Sequence, residues 1–269
     1  MNPNATTAFI GGGNMAGAIL GGLIRSGASP RQFVVIEPQA SQREKLLGEL
    51  GIHAQPQPDA ALQACSLVVW AVKPQSFAEA ASACAGQAAH ALQLSIMAGV
   101  RAQRIAAATG SPRVVRAMPN TPALIGLGIT GLWAGESVSA PERRQAEQVL
   151  AATGSTLWVG AEGDLDAVTA LSGSGPAYVF YFIEAMLQAG TEMGLAPEAA
   201  RRLAQETFAG AAALAMASDD PPQLLRERVT SRGGTTFAAL SSLETSGVKD
   251  AFVRALHAAR ERSQELGRG

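Results

Sequence analysis

A chain of 269 residues, 47% of them hydrophobic, is long enough to bury two modest cores or one large one. Its formal net charge of −1 offers no basic groove for nucleic acid and no attraction to an anionic membrane surface. Cys65 and Cys84 form no CxxC, and His53, His90 and His257 stand apart from any ligand partner at metal spacing, so a reduced intracellular chain without a bound metal is expected.

The N-terminal segment, residues 1–7, has no basic leader-like region, and no apolar run approaches the roughly 20 residues of a membrane span. A cytoplasmic protein is expected. The first strand is expected at residues 8–10 and the first helix at 14–25. A second strand at 33–36 precedes a helix at 41–50 and a short third strand at 52–54. Residues 67–72 form a continuous apolar run, the mark of a strand covered on both faces. Strands at 92–96 and 114–118 follow with a helix between them, then two closing strands at 129–133 and 156–159 around a helix at 141–153. Strand–helix alternation of this kind implies a doubly wound, mostly parallel sheet.

The pattern changes after Gly160. Glu162-Gly163-Asp164 can open a helix, residues 176–193 and 197–216 are helical in period, and Pro221-Pro222 breaks the chain before another helix. The expected organisation is therefore an α/β domain over 1–160 and an all-α domain over 161–269, packed rigidly because no Gly/Ser-rich linker joins them. Residues 177–183 are apolar nearly all round, and 209–216 add a further apolar stretch. A hundred or so helical residues cannot hide both, so a homo-oligomeric interface is expected rather than a single buried central helix.

Gly11-Gly12-Gly13-Asn14-Met15-Ala16 follows the first strand and opens a helix, matching G-x-G-x-x-G/A with alanine last. Gly11 permits the tight turn, Gly13 lets backbone approach a pyrophosphate, and Ala16 allows close helix–sheet packing. The helix N-terminus then presents free N–H donors to phosphate. Glu37 ends the second strand at the spacing of the residue that accepts bonds from a ribose diol. That carboxylate favours NAD and repels the 2′-phosphate of NADP, an effect Arg43 and the turn after Pro38 can offset. Ala71-Val72-Lys73-Pro74-Gln75 closes a buried strand at the edge where ligands of open α/β sheets gather, placing its backbone against a nicotinamide ribose. The plainer alternative for Lys73 is a solvated strand end.

Thr230-Ser231-Arg232-Gly233-Gly234-Thr235-Thr236 sets four hydroxyls and two adjacent glycines ahead of a helix, with no carboxylate among them. Such a loop aims N–H groups and hydroxyls at a small anion; the alternative is a polar turn capping the helix. Ser172-Gly173-Ser174-Gly175-Pro176 fails the hydrolase pattern G-x-S-x-G because position 172 is serine, and reads better as the start of a helix with Pro176 in its first turn.

Taken with Ser95-Ile96-Met97-Ala98-Gly99 and Arg116-Ala117-Met118-Pro119-Asn120-Thr121-Pro122-Ala123, these segments closely resemble pyrroline-5-carboxylate reductases, in the right order and over nearly the whole chain. The resemblance implies reduction of 1-pyrroline-5-carboxylate to L-proline, the last step of proline synthesis. It also implies a Rossmann domain followed by a helical dimerisation domain, with higher homo-oligomers built from dimers. NADPH is the implied cofactor, with NADH an option because of Glu37. By resemblance Ile10, Gly11, Gly12, Gly13, Asn14, Met15, Glu37, Ala71, Val72, Lys73 and Pro74 contact the cofactor. Ser231, Gly233, Gly234, Thr235 and Thr236 line the substrate site, with Ser231 and the 233–235 N–H groups on the carboxylate and Thr236 Oγ on the ring nitrogen. The chain departs from the family at Arg232, where proline is usual. A protonated imine accepts hydride readily, so no strong protein acid is obligatory, and positioning carries the catalysis.

Two other readings compete. A β-hydroxyacid-type dehydrogenase shares the plan but needs a lysine early in the helical domain, and Lys249 is the only lysine there. A non-catalytic NAD(P)-binding redox sensor would keep the glycine fingerprint but has no use for the 230–236 loop.

Overall fold

The computed structural model describes residues 6–267; the outermost ends of both expected domains, 1–5 and 268–269, and most of the segment read as lacking a leader, lie outside the described residues. The chain divides into two compact units. One runs to Ser174 and takes up the chain again from Ala259; the other is Gly175–Ala258.

The first unit is built on seven strands in the order β2-β1-β3-β4-β5-β6-β7. These are β1 Thr6–Ile10, β2 Phe33–Ile36, β3 Cys65–Trp70, β4 Leu92–Ser95, β5 Val114–Met118, β6 Gly128–Ala134 and β7 Gly154–Trp158. Helices α1 Asn14–Arg25, α2 Ala40–Leu50, α3 Phe77–Ala83, α4 Ala102–Thr109 and α5 Ala140–Leu150 connect them, and α6 Asp164–Val168 follows the last strand. β3 shows why the sheet is covered on both faces. Leu67 and Val69 join one core cluster with Ile19, Leu20 and Leu23, while Val68 and Trp70 join the other with Phe77 and Ile105. The polar Gln93 in β4 is fully buried because its amide is satisfied. Its Oε1 accepts from Trp70 Nε1 at 2.8 Å, and its Nε2 donates to the carbonyls of Ala88 and Ala91.

Two features depart from a simple reading of the sequence. β5 and β6 pair antiparallel, whereas every other pairing is parallel. The link between them holds only a short 3-10 turn, Thr121–Ile125, closed by Gly126 at φ +76°. That is too little chain for a crossover helix. The short strand expected at 52–54 is a single bridge, Gln55 to Ile36. Gln55 exchanges backbone bonds with Val35 and Glu37, and Pro56 then removes the next donor.

Four charged residues inside this unit, Arg101, Arg116, Glu162 and Asp166, form a cluster. Asp166 is 2% exposed; its Oδ2 meets Arg101 Nη2 at 2.7 Å and its Oδ1 accepts from Ser263 Oγ at 2.7 Å. Glu162 Oε1 accepts from Arg116 Nη1 at 2.8 Å and from the N–H of Ala102 at 2.7 Å. Burial pulls the Arg116 guanidinium below its ordinary value, and Glu162 opposes that. The cluster ties the start of α4, β5, α6 and the C-terminal end of α11 (Val248–Leu266) together. Cys65 and Cys84 are free and buried, and desolvation pushes each thiol up to about 11.

The second unit contains only helix among its regular elements: α7 Gly175–Glu192, α8 Pro197–Met216, α9 Pro222–Arg228, α10 Thr235–Thr245 and the first part of α11. A Cβ on Gly190 of α7 would lie 2.9 Å from Ala200 Cβ of α8, so small residues allow these helices to approach closely. Tyr178 and Phe182 both meet Phe252 edge-on, with centroids 5.7 Å apart. Phe180, Tyr181, Leu203, Leu214 and Met216 remain exposed, an apolar surface this unit does not cover by itself. No helix among the described residues is long and apolar enough to cross a membrane.

The start of α5 carries a pH-dependent contact. Glu142 Oε2 accepts from Ser139 Oγ at 2.7 Å and from Ser139 N–H at 2.9 Å, and its Oε1 meets Arg113 Nη1 at 2.7 Å. Burial alone would raise this carboxyl, but the Ser139 bonds and Arg113 outweigh it and hold it below 4.5. A depressed carboxyl contributes stability above its unfolded value and loses it as pH falls through the folded one. Glu142→Gln is therefore expected to cost about 0.5–1.5 kcal/mol at neutral pH. The Tm gap between the two proteins, followed by thermal melts, should close as pH drops below 4.5.

Candidate functional site

The glycine loop is shaped by close backbone approach. Gly11 has φ +98°, and a Cβ there would sit 2.7 Å from the Ala71 carbonyl oxygen. Only glycine lets β1 and the loop after β3 run side by side at this point. A Cβ on Gly12 would meet Leu46 at 2.7 Å and Glu37 at 3.3 Å. Gly13, by contrast, faces open space, with nothing within 4 Å of a Cβ. The next residue opens α1, whose first-turn N–H groups have no acceptor within the helix. Ala16 is buried against the sheet, while Asn14 is exposed and Met15 half-buried. An anion approaching Gly13 would find amide hydrogens and room.

Glu37 stands at the end of β2, 8% exposed. Its Oε2 accepts from Gly12 N–H and its Oε1 from Gln39 N–H, both at 2.8 Å. Gln42 Nε2 reaches back to the Gly12 carbonyl at 2.6 Å. Arg43 lays its guanidinium over the same turn, donating to the carbonyls of Glu37 at 2.9 Å and Pro38 at 2.6 Å. Glu37 thus braces the glycine loop against the β2–α2 turn, and any ribose hydroxyl would share a carboxylate already holding two N–H groups. Beside it opens a cavity of about 680 Å³, bordered by Ile10, Gly11, Pro38, Pro58, Val72 and Ser76 among others. The cavity joins the glycine loop to the segment after β3. Of that segment, Ala71 and Val72 are half-buried, and Lys73 and Pro74 are exposed at the start of a 3-10 turn. Pro56 and Pro58 also border this cavity and Gln42 holds the glycine loop, contacts that sequence reasoning missed; the two closely spaced prolines were the available signal.

At the same edge of the sheet, the loop after β4 is fixed from behind. Gly99, at φ +74°, leaves room for Leu266, whose Cβ would be 3.2 Å from a Cβ there. The end of β5 meets the serine-rich turn after α6. A Cβ on Gly173 would lie 2.6 Å from Met118 Cε. Residues Thr169–Gly173 form a single π turn, with Ser174 N–H bonded to Thr169 O at 2.8 Å. Ser172 Oγ donates back to Val168 O at 3.1 Å. Asn120 is buried, its Oδ1 accepting from Ile129 N–H.

The 230–236 loop lies in the helical unit. Thr230 is spent locally: its N–H bonds Glu227 O and its Oγ1 bonds Arg226 O. Gly234 N–H bonds Ser231 O at 3.0 Å, so it too is satisfied internally. Ser231 Oγ lies against Gly234, where a Cβ would meet it at 2.5 Å. Thr235 and Thr236 are the first two residues of α10, with Gly234 as N-cap and no side-chain cap. Their N–H groups have no intrahelical acceptor. Among the described residues no partner is found for the Gly233 N–H or for the hydroxyls of Ser231, Thr235 and Thr236. The loop therefore presents three hydroxyls and three amide hydrogens with nothing of its own to bind.

Comparison with known proteins decides the family. Residues 162–266 match the family described as pyrroline-5-carboxylate reductase dimerisation, and residues 6–99 match NADP oxidoreductase coenzyme F420-dependent. A pyrroline-5-carboxylate reductase of Pseudomonas aeruginosa is 44% identical over 261 residues, covering 96% of each chain. The chain belongs to the pyrroline-5-carboxylate reductase family. The reductase of Synechocystis is 39% identical, covering 97% of each chain. Among solved structures, a pyrroline-5-carboxylate reductase from Coxiella burnetii superposes with a TM-score of 0.89 at 36% identity, covering 98% of both chains. The Plasmodium falciparum pyrroline carboxylate reductase, solved with NADP bound, gives 0.88 at 28% identity, covering 98% of this chain and 99% of that one. The family places a homo-oligomer-forming region on the helices whose apolar surface is left exposed here.

The Glu37 brace has a measurable cost of removal. Glu37→Ala leaves the buried N–H of Gly12 without an acceptor, a loss of about 1–3 kcal/mol. Tm should fall by about 3–10 °C in a thermal melt of the cofactor-free protein. An unchanged Tm would show that the carboxylate does not hold the loop.

Proposed function

We propose that this protein reduces 1-pyrroline-5-carboxylate to L-proline with NADPH, the last step of proline biosynthesis, in the cytoplasm. The observation that carries the reading is the 230–236 loop: unpartnered donors on a carboxylate-free turn, in a chain of this family. The cradle fits the cofactor, since Gly13 faces open space and a cavity runs between Gly11, Pro38 and Val72. Ile10, Gly11, Gly12, Gly13, Asn14 and Met15 line the cofactor site, with the N–H groups of Gly13, Asn14 and Met15 turned to the pyrophosphate because those of Gly11 and Gly12 are already bonded, and Ala71, Val72, Lys73 and Pro74 border the nicotinamide ribose. Arg43 is the cation at the β2–α2 turn that meets a 2′-phosphate, while Glu37 supports the turn. NADH is accepted as well, less readily. Bound NADPH supplies the hydride.

The chain's own part is positioning. Ser231 and the N–H groups of Gly233 and Thr235 hold the substrate carboxylate. Gly234 contributes its conformation rather than its N–H, which Ser231 occupies. Thr236 Oγ hydrogen-bonds the ring nitrogen and orients the imine. A threonine hydroxyl is too weak an acid to protonate the imine fully, so the substrate arrives protonated and the hydroxyl stabilises its charge distribution as the bond forms. Residues 161–269 serve as the substrate-binding and dimerisation domain, and the assembly is a homodimer or a higher homo-oligomer built from dimers.

Loss of reduced-nicotinamide absorbance on adding 1-pyrroline-5-carboxylate tests the reading directly. Cofactor binding without turnover would favour a redox sensor. Thr236→Ala is expected to lower kcat/KM about 5- to 150-fold, the equivalent of one lost hydrogen bond of roughly 1–3 kcal/mol. The NADPH Kd, from fluorescence titration, should stay within about twofold. A defect confined to cofactor binding would remove Thr236 from the substrate site.

A further inference from the structure

The turn at residues 231–234 contains a cation that its geometry does not require. Ser231 C=O accepts from Gly234 N–H at 3.0 Å, leaving Arg232 and Gly233 as the two central residues. Gly233 has φ +73°, and among the described residues no non-glycine residue has positive φ. Arg232 therefore precedes a left-handed glycine with negative φ of its own, the arrangement of a type II turn. The first central position of that turn is where proline fits best, because its ring presets φ near −65°. This chain has arginine there instead and forgoes that stiffness.

What it has in exchange is charge. Arg232 is exposed and forms no ion pair among the described residues. Its neighbours differ: Arg226 faces Glu244 and Arg228 faces Asp220. No acidic residue occurs anywhere in 228–243. Arg232 is thus an uncommitted guanidinium flanked by the uncommitted donors of Ser231, Gly233, Thr235 and Thr236.

We propose that Arg232 is a specificity-determining residue, which selects small cyclic anions over neutral rings by adding a full charge to a clamp otherwise made of neutral donors. This rests on the reading of the loop as the carboxylate site. An exposed cation acts through a field that salt screens, with a reach of about 30 Å at 0.01 M and about 3 Å at 1 M ionic strength. Its signature is therefore a salt-dependent KM and carboxylate affinity, which a purely structural turn residue would not produce.

The test compares wild type with R232Q, R232K and R232P, all in the intact protein. KM for 1-pyrroline-5-carboxylate is read at low and high salt. Cyclopentanecarboxylate and cyclopentanecarboxamide are titrated calorimetrically as charged and neutral probes. R232Q and R232P are expected to raise KM and carboxylate Kd roughly threefold to tenfold at low salt. Their salt dependence should flatten, the carboxamide Kd should not move, and R232K should recover most of the loss. R232P should in addition raise Tm by about 1–3 °C, since proline suits the turn. If wild type turns over substrate but R232Q matches it in KM, carboxylate Kd and salt slope, Arg232 has no such role and the loop reading stands. If wild type neither turns over nor binds the carboxylate probe, the loop is not the site, and the inference falls with it.

Discussion

The C-terminal edge of the parallel strands depends on two backbones being allowed to touch. At Gly11 the chain leaving β1 passes so close to the carbonyl of Ala71 that any side chain would collide. That approach puts the loops after β1 and β3 in contact and sets the glycine turn that aims α1. Glu37 then fixes the turn from the other side, accepting the Gly12 N–H in a buried position. Removing either constraint frees the segment whose amide hydrogens face the open space at Gly13. Glycine is required at Gly11 both by space and by a φ of +98°, and at Gly12 by space.

A second constraint lies behind the loop after β4. Arg101, Arg116, Glu162 and Asp166 place two cations and two carboxylates in one partly buried cluster, with Ser263 supplying a further donor. Burying such charges is costly, and a well-packed apolar cluster would serve stability as well. What hydrophobic packing lacks is direction. Each bond here has a fixed angle and partner, and together they hold the start of α4, the body of β5 and the end of α11 in one register. Leu266 against Gly99 completes that fit. One atom, Arg116 Nε, has no protein partner, which is consistent with charge placed for orientation rather than for maximal bonding.

Much of this architecture was legible in the chain. The apolar run of β3, the 3.6-residue periods of the helices and the glycine spacing after β1 follow from local sequence, and the structure has those elements where the periods put them. The reversal of β6 was less visible, because the strand pattern carries no direction and only the brevity of the link from β5 hints at it. The segment at 52–54 had apolar character, but Pro56 removes the donor that would carry the ladder on, so it stops at one bridge. Glu37 stood at the expected spacing, but sequence spacing cannot say which way a carboxylate turns. The internal bond that consumes the Gly234 N–H is a property of the folded turn and not of its composition. The charged cluster was the least readable feature. Its members are separated by 46, 65 and 97 residues, and Glu162 and Asp166 look locally like the ordinary acidic start of a helix.

The cysteine at the start of β3 has a practical consequence. Cys65 is almost wholly enclosed, and with its thiol raised to about 11 it holds roughly a hundredfold less thiolate at neutral pH than an ordinary cysteine near 9. Peroxide and alkylating reagents attack thiolate, so the folded protein should be nearly inert to them at this position. Reagent uptake at Cys65 then waits on opening of the structure around the start of β3, where its thiol meets the Ala61 carbonyl, and its pace becomes a built-in clock for that local motion.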